Sequence, residues 1–327
     1  MNTNTTDRRT FLEQAFTRFA GVTVLTAGIE AIEANGAASG GSSPPPKHVV
    51  VDSHQHFWDP VTLKSPPSPP EAAVLNRAFL PAELWEQIKP LGVNYTVLVQ
   101  GFPQTYEANH WYFKQANSAH FVKGVVAWVD FQKPDRAGSA LEELKKEPKF
   151  AGIRHIVQDE PDVNWLVREP VLESFKELAR HKVPFDMVVK PQQLGNVLAV
   201  VDKVPDLSIV IDHIAKPDIA AGGSPGWAEN LTAVAQSPRV YCKLSGMVTE
   251  ADHRKWKPSD LTPYVHHAIE AFGWDRVMYG SDWPVCLLAA SYKQVWQALH
   301  EVLGEISNEQ RNKVFGANAV RFYGLKI

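Results

Sequence analysis

Two histidines that flank a single residue are the first chemically distinctive feature of this sequence. His54 and His56 follow three valines in the segment VVVDSHQH, which spans residues 49–56. Side chains at positions i and i+2 of a β-strand lie on the same face, so the two imidazoles can approach one metal ion if this segment is a strand. The spacing alone is a weak signal, and it becomes a strong one at the end of a barrel strand.

Two further polar segments follow apolar runs in the second half of the chain. Asp282 in the motif GSDWP could ligate a metal, accept the proton of an attacking water, or cap the next helix. His213 in the motif DHIAKP could be a ligand, an acid–base group or a structural histidine. Its neighbour Asp212 could orient a nearby imidazole or pair with Lys216. Asp282 and His213 are therefore the candidate catalytic residues.

Basic side chains end several other apolar segments. Arg154 and His155 stand together, and Lys190 and Lys243 each end a segment of their own. Four cationic or potentially cationic groups at one mouth favour an anionic or oxygen-rich substrate, although each could instead be a surface or ion-pair residue. The remaining predicted substrate contacts are Ser245, Gln100, Trp58 and Trp283.

Eight short, β-branched segments must position these groups. The predicted strands are residues 48–57, 94–100, 122–130, 150–157, 184–190, 207–214, 239–246 and 277–284. Their nearly continuous Val, Ile and Leu content indicates burial on both faces and hence a parallel sheet. Amphipathic segments between them, such as 169–181 and 291–303, are typical of helices. Eight strands that alternate with helices predict an α/β fold, namely a single (β/α)8 TIM barrel. In such a barrel the reactive groups lie at the carboxyl ends of the strands.

Two other segments carry structural expectations. The Pro-rich connection 60–81 follows the first strand, and we expect it to be an active-site loop because loops of that length are usually functional or disordered. The pattern of residues 308–325 predicts a final helix that packs across the outside of the barrel. No Gly-rich phosphate loop follows the first strand, which argues against a dinucleotide-binding fold.

Composition excludes several classes of protein. The chain has 327 residues, 44% of them hydrophobic, and a formal net charge of −3. These values are those of an ordinary globular protein and not of a general nucleic-acid binder. Two cysteines cannot form a disulfide scaffold, and we expect Cys242 and Cys286 to be small core residues. No apolar run is long enough to insert into a membrane.

The first 46 residues resemble a targeting segment. Arg8 and Arg9 in the motif DRRTFL, an apolar stretch at 19–29 and a Gly/Ser/Pro linker at 40–46 resemble a twin-arginine export signal. Residues 47–327 would then form the barrel. We expect export to the periplasm; a cytoplasmic location is the alternative, because the stretch also suits an amphipathic helix or a flexible tail.

Taken together, the motifs resemble the amidohydrolase superfamily, in its branch of sugar-lactone and muconolactone-type lactone hydrolases. The similarity runs from about residue 49 to 324 and rests on the motifs DSHQHFWD, GIRH, DHIAKP, KLSG and GSDWP. That branch includes fuconolactone, rhamnonolactone, pyrone-dicarboxylate and sulfomuconolactone hydrolases. The resemblance implies that His54 and His56 are metal ligands and that Asp282 is the last ligand or the base.

The sequence also departs from the wider superfamily. Its fifth strand has no histidine, where many members place a metal ligand, and we identify no site for a carboxylated lysine. We therefore expect one divalent ion, Zn²⁺, held by His54, His56 and Asp282, with His213 as a further candidate ligand. Some lactonases of this branch dispense with a metal.

The expected activity is opening of a small anionic or polyhydroxylated lactone by water. Asp282 would take the proton of the water, and His213, His155 or the metal would stabilise the oxyanion. Arg154, Lys190 and Lys243 would hold a carboxylate, a sulfonate or hydroxyls. The alternatives are a non-oxidative decarboxylase or hydratase acting on an aromatic-derived acid, and a non-catalytic barrel that binds a sugar acid. No nucleic-acid partner is expected, and a homo-oligomer stays open.

Overall fold

The computed structural model describes residues 48–65 and 67–327, and within them eight parallel strands form one sheet. The strands follow one another in chain order around the sheet, each paired with the next. The predicted barrel is confirmed, and every strand lies inside its predicted segment but is shorter. The strands are β1 Val51–Gln55, β2 Tyr95–Val99, β3 Val122–Ala127, β4 Phe150–His155, β5 Phe185–Met187, β6 Ile209–Ile211, β7 Val240–Leu244 and β8 Val277–Tyr279.

Helices connect the strands and surround the sheet. The main α-helices are α1 Pro60–Leu63, α2 Pro81–Ile88, α3 Tyr106–Ser118, α4 Pro134–Leu144, α5 Glu169–Arg180, α6 Leu194–Lys203, α7 Trp227–Ala235, α8 Met247–Glu250, α9 Pro258–Phe272, α10 Tyr292–Leu303, α11 Asn308–Asn312 and α12 Asn318–Tyr323. Short 3₁₀ turns occupy Pro70–Leu75, Lys89–Leu91, Val157–Asp159, Trp165–Val167, Pro191–Gln193, Asp212–Ala215 and Val285–Leu288. A π-helical turn, Lys313–Ala317, joins α11 to α12.

Local sequence signals set the helix starts. The Thr105 hydroxyl accepts a hydrogen bond from the backbone of the first turn of α3. Ser291 and Gln294 form a reciprocal capping box at the start of α10. These caps satisfy backbone N–H groups that have no partner inside a helix. Pro81 and Pro258 begin α2 and α9, where proline loses no helical hydrogen bond.

The last strand meets the first through the residues beyond β8. The backbone N–H of His56 donates to the carbonyl of Trp283 at 2.7 Å, and the N–H of Asp282 donates to the carbonyl of His54 at 2.8 Å. An isolated parallel bridge joins Gln55 to Trp283. This contact nearly closes the barrel, and it brings the segments that contain the two histidines and Asp282 side by side.

The core has two layers. The larger cluster lies between the sheet and the helices, and a smaller one contains inward side chains such as Val97, Val126 and Met278. Tyr323 and Leu325 belong to this inner cluster. The final helical segment therefore does not simply pack across the outside, as expected from sequence: Leu325 lies against Gly124, near the amino-terminal end of β3.

The remaining structural expectations have mixed outcomes. The connection 60–81 contains α1 and a 3₁₀ turn, and its residue Phe79 pairs with Trp58 in an antiparallel bridge. Cys242 and Cys286 are free and buried, as predicted. The predicted leader, residues 1–46, lies outside the described residues and stays a prediction. Across the described part of the chain, no helix has both the length and the apolar character needed to cross a membrane.

Candidate active site

Four side chains from three strand ends converge at the carboxyl end of the barrel. The Nε2 atoms of His54 and His56 are 3.2 Å apart. The Oδ1 atom of Asp282 lies 3.4 Å from the Nε2 of His56 and 3.8 Å from the Nε2 of His54. The Nε2 of His213 is also 3.8 Å from this oxygen. All four residues are buried. The distances between them show that the structure brings together these four residues singled out from the sequence.

His54, His56 and Asp282 have the chemistry and spacing of a metal site, and His213 lies beside them. A tetrahedral Zn²⁺ with bonds of about 2.0–2.1 Å separates its ligand atoms by about 3.3 Å. The Nε2 atoms of His54 and His56 and the Oδ1 atom of Asp282 are 3.2 to 3.8 Å apart. The Oδ1 of Asp282 is buried and has no hydrogen-bond partner among the described residues. A buried carboxylate oxygen facing imidazole nitrogens fits a divalent cation, and His54, His56 and Asp282 form a buried group able to hold one.

The other ring nitrogen of each histidine contacts a polar group. The Nδ1 of His56 lies 2.7 Å from the carbonyl oxygen of Val99, to which it donates as a neutral ring with its Nε2 free. The Nδ1 of His213 is 2.8 Å from the Oγ of Ser245, and the Nδ1 of His54 is 3.3 Å from the Oδ1 of Asp212. Such contacts orient a ligand, and the Val99 carbonyl also selects the tautomer of His56 that leaves its Nε2 available.

Burial and neighbouring charges set the ionisation of this cluster. Burial lowers the pKa of His56, and it lowers the pKa of His54 and His213 well below the usual value. Burial alone would raise the pKa of Asp282, but the nearby His213 and His56 outweigh it and hold the pKa below its usual value. Neutral imidazoles beside an ionised carboxylate are the states that metal ligands require.

Unusual backbone conformations place two of these side chains. Residues 213–216 all have positive φ, with His213 at 55°, and Asp282 has φ of 56°. Left-handed backbone costs a residue with a side chain about 1–2 kcal/mol, and strain of this kind is concentrated at functional sites. Gly246 lies against His213, and a Cβ there would be 2.5 Å from the His213 Nδ1. The sequence motifs do not reveal this strain.

Arg154 lies beside the four-atom cluster. Its Nη1 is 3.4 Å from the Nε2 of His54 and 3.7 Å from the Oδ2 of Asp212. Its Nη2 donates to the carbonyl of Gln100, whose side-chain amide donates to the carbonyl of Arg154 at 3.2 Å. The Nε of Arg154 has no hydrogen-bond partner among the described residues. Arg154 is therefore the predicted substrate residue that stands next to the cluster, and Gln100 holds it.

Lys243 lies deeper than the sequence interpretation implies. It is fully buried on β7, and its ammonium group is 2.5 Å from the Oδ2 of Asp186 and 2.9 Å from the Oδ1 of Asp212. Burial raises the pKa of Asp186 to about 6. Burial would also raise the pKa of Asp212, but Lys243, His213 and Arg154 hold it below its usual value. Because the Lys243 ammonium is surrounded by protein, it is not positioned to contact a substrate at the mouth.

His155 and Ser245 also have partners within the protein. The Nε2 of His155 is 2.6 Å from Glu160, and its Nδ1 accepts a hydrogen bond from the indole of Trp128 at 3.1 Å. The His155 ring stacks on Trp165. Both nitrogens are engaged, so the structure does not place His155 among the four converging side chains, while Ser245 joins them only through His213.

The remaining predicted contacts lie around this cluster. The indole of Trp58 is partly buried and donates to two backbone carbonyls of the following loop. Trp283 is only 1% exposed and packs edge-on against Phe57 and Phe79, so its ring does not line a rim. Lys190 is partly buried beyond the end of β5. Lys216 pairs with Glu250 and not with Asp212.

Two buried carboxylates were not assigned a role from sequence. Asp52 accepts hydrogen bonds from the backbone of His54 and Ser281 and from the Tyr292 hydroxyl, so it fixes the end of β1 to the segment after β8. Asp186 contacts Lys243 and Tyr323. The sequence signal that could have found both is an acidic residue inside an apolar strand segment. Such residues are almost never fully buried without a partner, so each predicts a buried polar contact.

Comparison with known proteins supplies a family. A family model described as Amidohydrolase matches residues 51–325. An L-fucono-1,5-lactonase of Burkholderia ambifaria is 38% identical over 280 residues, which cover 84% of this chain and 94% of the relative. A second L-fucono-1,5-lactonase, of Burkholderia multivorans, is 33% identical over 286 residues, covering 84% and 96%. A crystal structure of an amidohydrolase from Burkholderia multivorans with bound zinc has a TM-score of 0.77 at 32% identity, covering 85% of this chain and 100% of that one.

Proposed function

The chain belongs to the amidohydrolase family, and from this premise we propose that it is a metal-dependent lactonase that adds water to a small, oxygen-rich cyclic ester. The observation that carries the proposal is that three buried imidazole Nε2 atoms lie 3.4 to 3.8 Å from the Oδ1 of Asp282. This cluster lies at the carboxyl end of the barrel strands, where (β/α)8 enzymes have their active sites.

The proposed metal is one divalent ion, Zn²⁺, held by His54, His56 and Asp282, with His213 beside them. When bound, such an ion supplies Lewis-acid polarisation of an ester carbonyl and activation of water at neutral pH. The zinc-containing structure of the amidohydrolase from Burkholderia multivorans supports this choice of ion. The lowered pKa of the histidines and of Asp282 suits a divalent cation in general.

Asp282 is the proposed general base. Its carboxylate is ionised, and it is held beside His213 at the mouth by a backbone hydrogen bond to His54. Asp282 takes a proton from the attacking water as the oxygen of that water bonds to the ester carbon. The ring C–O bond then breaks, and the proton passes to the departing ring oxygen, so that one lactone and one water give one hydroxy acid. A positioned base of this kind contributes about 10²–10⁴-fold to the rate.

Arg154 and His213 are the proposed electrostatic partners. The Arg154 guanidinium has an unpaired Nε and lies 3.4 Å from His54, close enough to the cluster to donate to a carbonyl oxygen as it gains negative charge. One well-placed donor of this kind is worth about 3 kcal/mol in the transition state. His213, held by Ser245, faces the Asp282 carboxylate and is placed to help return the proton.

A sugar-acid lactone is the proposed substrate class. Two relatives at 38% and 33% identity are named L-fucono-1,5-lactonases, and both align over more than 90% of their own length. The partly exposed ring of Trp58 lies 6.4 Å from the ring of His56 and suits a ligand rich in hydroxyl groups.

The test is acid release from a panel of lactones at fixed pH. Zinc-loaded protein should consume one equivalent of base for each ring opened with at least one sugar-acid or muconolactone-type lactone, and release no carbon dioxide. Carbon dioxide from an aromatic acid would favour the decarboxylase alternative instead. If no lactone is opened by folded, zinc-loaded protein, the proposed activity is wrong.

A further inference from the structure

A lysine with no solvent exposure lies directly behind the proposed metal ligands. The Nζ atom of Lys243 is 2.5 Å from the Oδ2 of Asp186, 2.9 Å from the Oδ1 of Asp212 and 3.0 Å from the Nδ1 of His54. The flanking residues of β5 and β7 belong to the outer core, so Asp186 and Lys243 both point into the barrel. Lysine is almost never fully buried unless it is paired, and here two carboxylates enclose it.

The atoms around this ammonium group are of the kinds that bind divalent metals. Carboxylate oxygens are ordinary ligands of Zn²⁺ and similar ions, and Asp186 and Asp212 each present one to the ammonium group. They lie on the Nδ1 side of His54, whereas the four-atom cluster with Asp282 lies on its Nε2 side. His54 therefore separates two places where a cation can sit, and the second of these contains the ammonium group of Lys243.

Charge explains why that second place needs a cation. Asp186 and Asp212 are both fully buried, and an unpaired buried carboxylate is strongly unfavourable. Among the described residues, the groups bonded to Asp186 are Lys243 and the hydroxyl of Tyr323, and only Lys243 is cationic. Arg154 is 3.7 Å from Asp212, but it approaches the other oxygen of that carboxylate. Lys243 is thus the cation shared by both.

We propose that Lys243 is a positioning residue that takes the place of a second metal ion: its ammonium group binds Asp186 and Asp212, holds Asp212 against the Nδ1 of His54, and restricts the centre to a single ion. This inference rests on the proposed metal centre, but not on the identity of the lactone. In that role Lys243 would leave a single-ion centre although Asp186 on β5 and Asp212 after β6 both face it.

The wild-type protein gives the first test. Metal-free protein is titrated with Co²⁺, whose visible absorption reports ions bound by histidine and carboxylate ligands, and the bound metal is counted by elemental analysis after gel filtration. We expect one ion per chain at saturation. A second ion inside the barrel overturns the inference. Protein that binds no ion overturns the inference and the metal centre together, whereas lactone opening by the same sample is measured separately and tells whether the proposed reaction fails as well.

A variant gives the second test. Lys243→Ala removes the ammonium group and leaves Asp186, Asp212 and His54 around an open space, so the expected uptake rises from one ion to two. Tyr323→Phe is the matched control, because it removes the other donor to Asp186 and leaves the ammonium group, and it should still bind one ion. Folding is checked by circular dichroism with and without the metal. A folded Lys243→Ala protein that saturates at one ion overturns the inference; if this variant does not fold, the wild-type titration decides.

Discussion

The Nε2 atom of His213 lies 3.8 Å from the Oδ1 atom of Asp282, and both residues have left-handed backbone, with φ of 55° and 56°. Two residues with side chains rarely adopt this conformation without support from their surroundings. In this protein the Ser245 hydroxyl supports His213, and the backbone of β1 supports Asp282. The relationship connects the end of β6 to the segment after β8.

Asp282→Asn should reduce lactone opening at least about 10³-fold, because the amide keeps the shape of the side chain but can neither accept the proton nor carry the charge that a metal ligand needs. The measurement is kcat/KM for acid release by protein reconstituted with zinc. Asp206→Asn is the control: this carboxylate is 83% exposed, and the same change there should leave kcat/KM unaltered. Near-normal turnover by Asp282→Asn would contradict its role as base.

Gly246→Ala should impair metal binding and turnover, because the new Cβ would lie 2.5 Å from the His213 Nδ1 and force the ring to move. Gly92→Ala is a matched control, since Gly92 also has left-handed backbone, with φ of +72°, but no atom lies within 4 Å of the added Cβ. Both changes should cost about 1–2 kcal/mol of backbone strain, measured by denaturant unfolding. Equal activity in the two variants would show that the position of His213 does not matter.

Ser245→Ala should weaken zinc binding or kcat/KM about 10–100-fold, because it removes the partner that orients the His213 imidazole. Zinc affinity is measured by competition with a coloured chelator. Ser174→Ala is the comparison, because Ser174 is a buried serine whose hydroxyl donates to the Phe131 carbonyl in another part of the barrel. That change should cost about 1 kcal/mol of stability and leave zinc affinity unchanged.

Removal of metal by a chelator should abolish turnover, and added Zn²⁺ should restore it. Zinc should also stabilise the folded chain, because an ion that binds only the native state adds about 2.7 kcal/mol at a free concentration near 100 times its Kd. Thermal unfolding with and without zinc measures this change. Full activity and an unchanged melting temperature in excess chelator would contradict the metal assignment, although it would leave Arg154 as a metal-independent electrostatic partner.

Export through the twin-arginine route is also proposed, on the residues of the leader alone. Replacing Arg8 and Arg9 by lysine should retain the protein in the cytoplasm, whereas the unchanged chain should appear in the periplasmic fraction. Cell fractionation followed by immunoblotting measures the distribution. Recovery of both proteins in the cytoplasm would favour the cytoplasmic alternative.

Periodicity in the sequence was sufficient to predict the barrel and all eight strands. Buried parallel strands are continuous apolar runs, so their order and approximate limits can be read from composition and turn signals. The motifs also included four polar residues that meet, because the carboxyl ends of parallel strands lie on one side of a barrel. His54, His56, His213 and Asp282 come together for this reason.

Depth and backbone conformation could not be predicted in the same way. Lys243 lies in the barrel interior, because strand stagger sets how deep a residue lies, and stagger arises from pairing with neighbouring strands. Asp282 lies three residues beyond β8 in a left-handed conformation, which no periodicity encodes. His155 looked like a mouth residue, but Glu160 and Trp128 from other segments engage both of its nitrogens.

The most direct test of the account is the fate of the water oxygen during turnover. Zinc-loaded protein is given a sugar-acid lactone, such as L-fucono-1,5-lactone, in ¹⁸O-labelled water, and the product is analysed by mass spectrometry. Attack of water on the ester carbonyl at the His54, His56, His213 and Asp282 cluster predicts a hydroxy acid with one ¹⁸O in its carboxyl group, formed much faster than by Asp282→Asn protein. Unlabelled carboxyl groups, or equal rates in the two proteins, would contradict it.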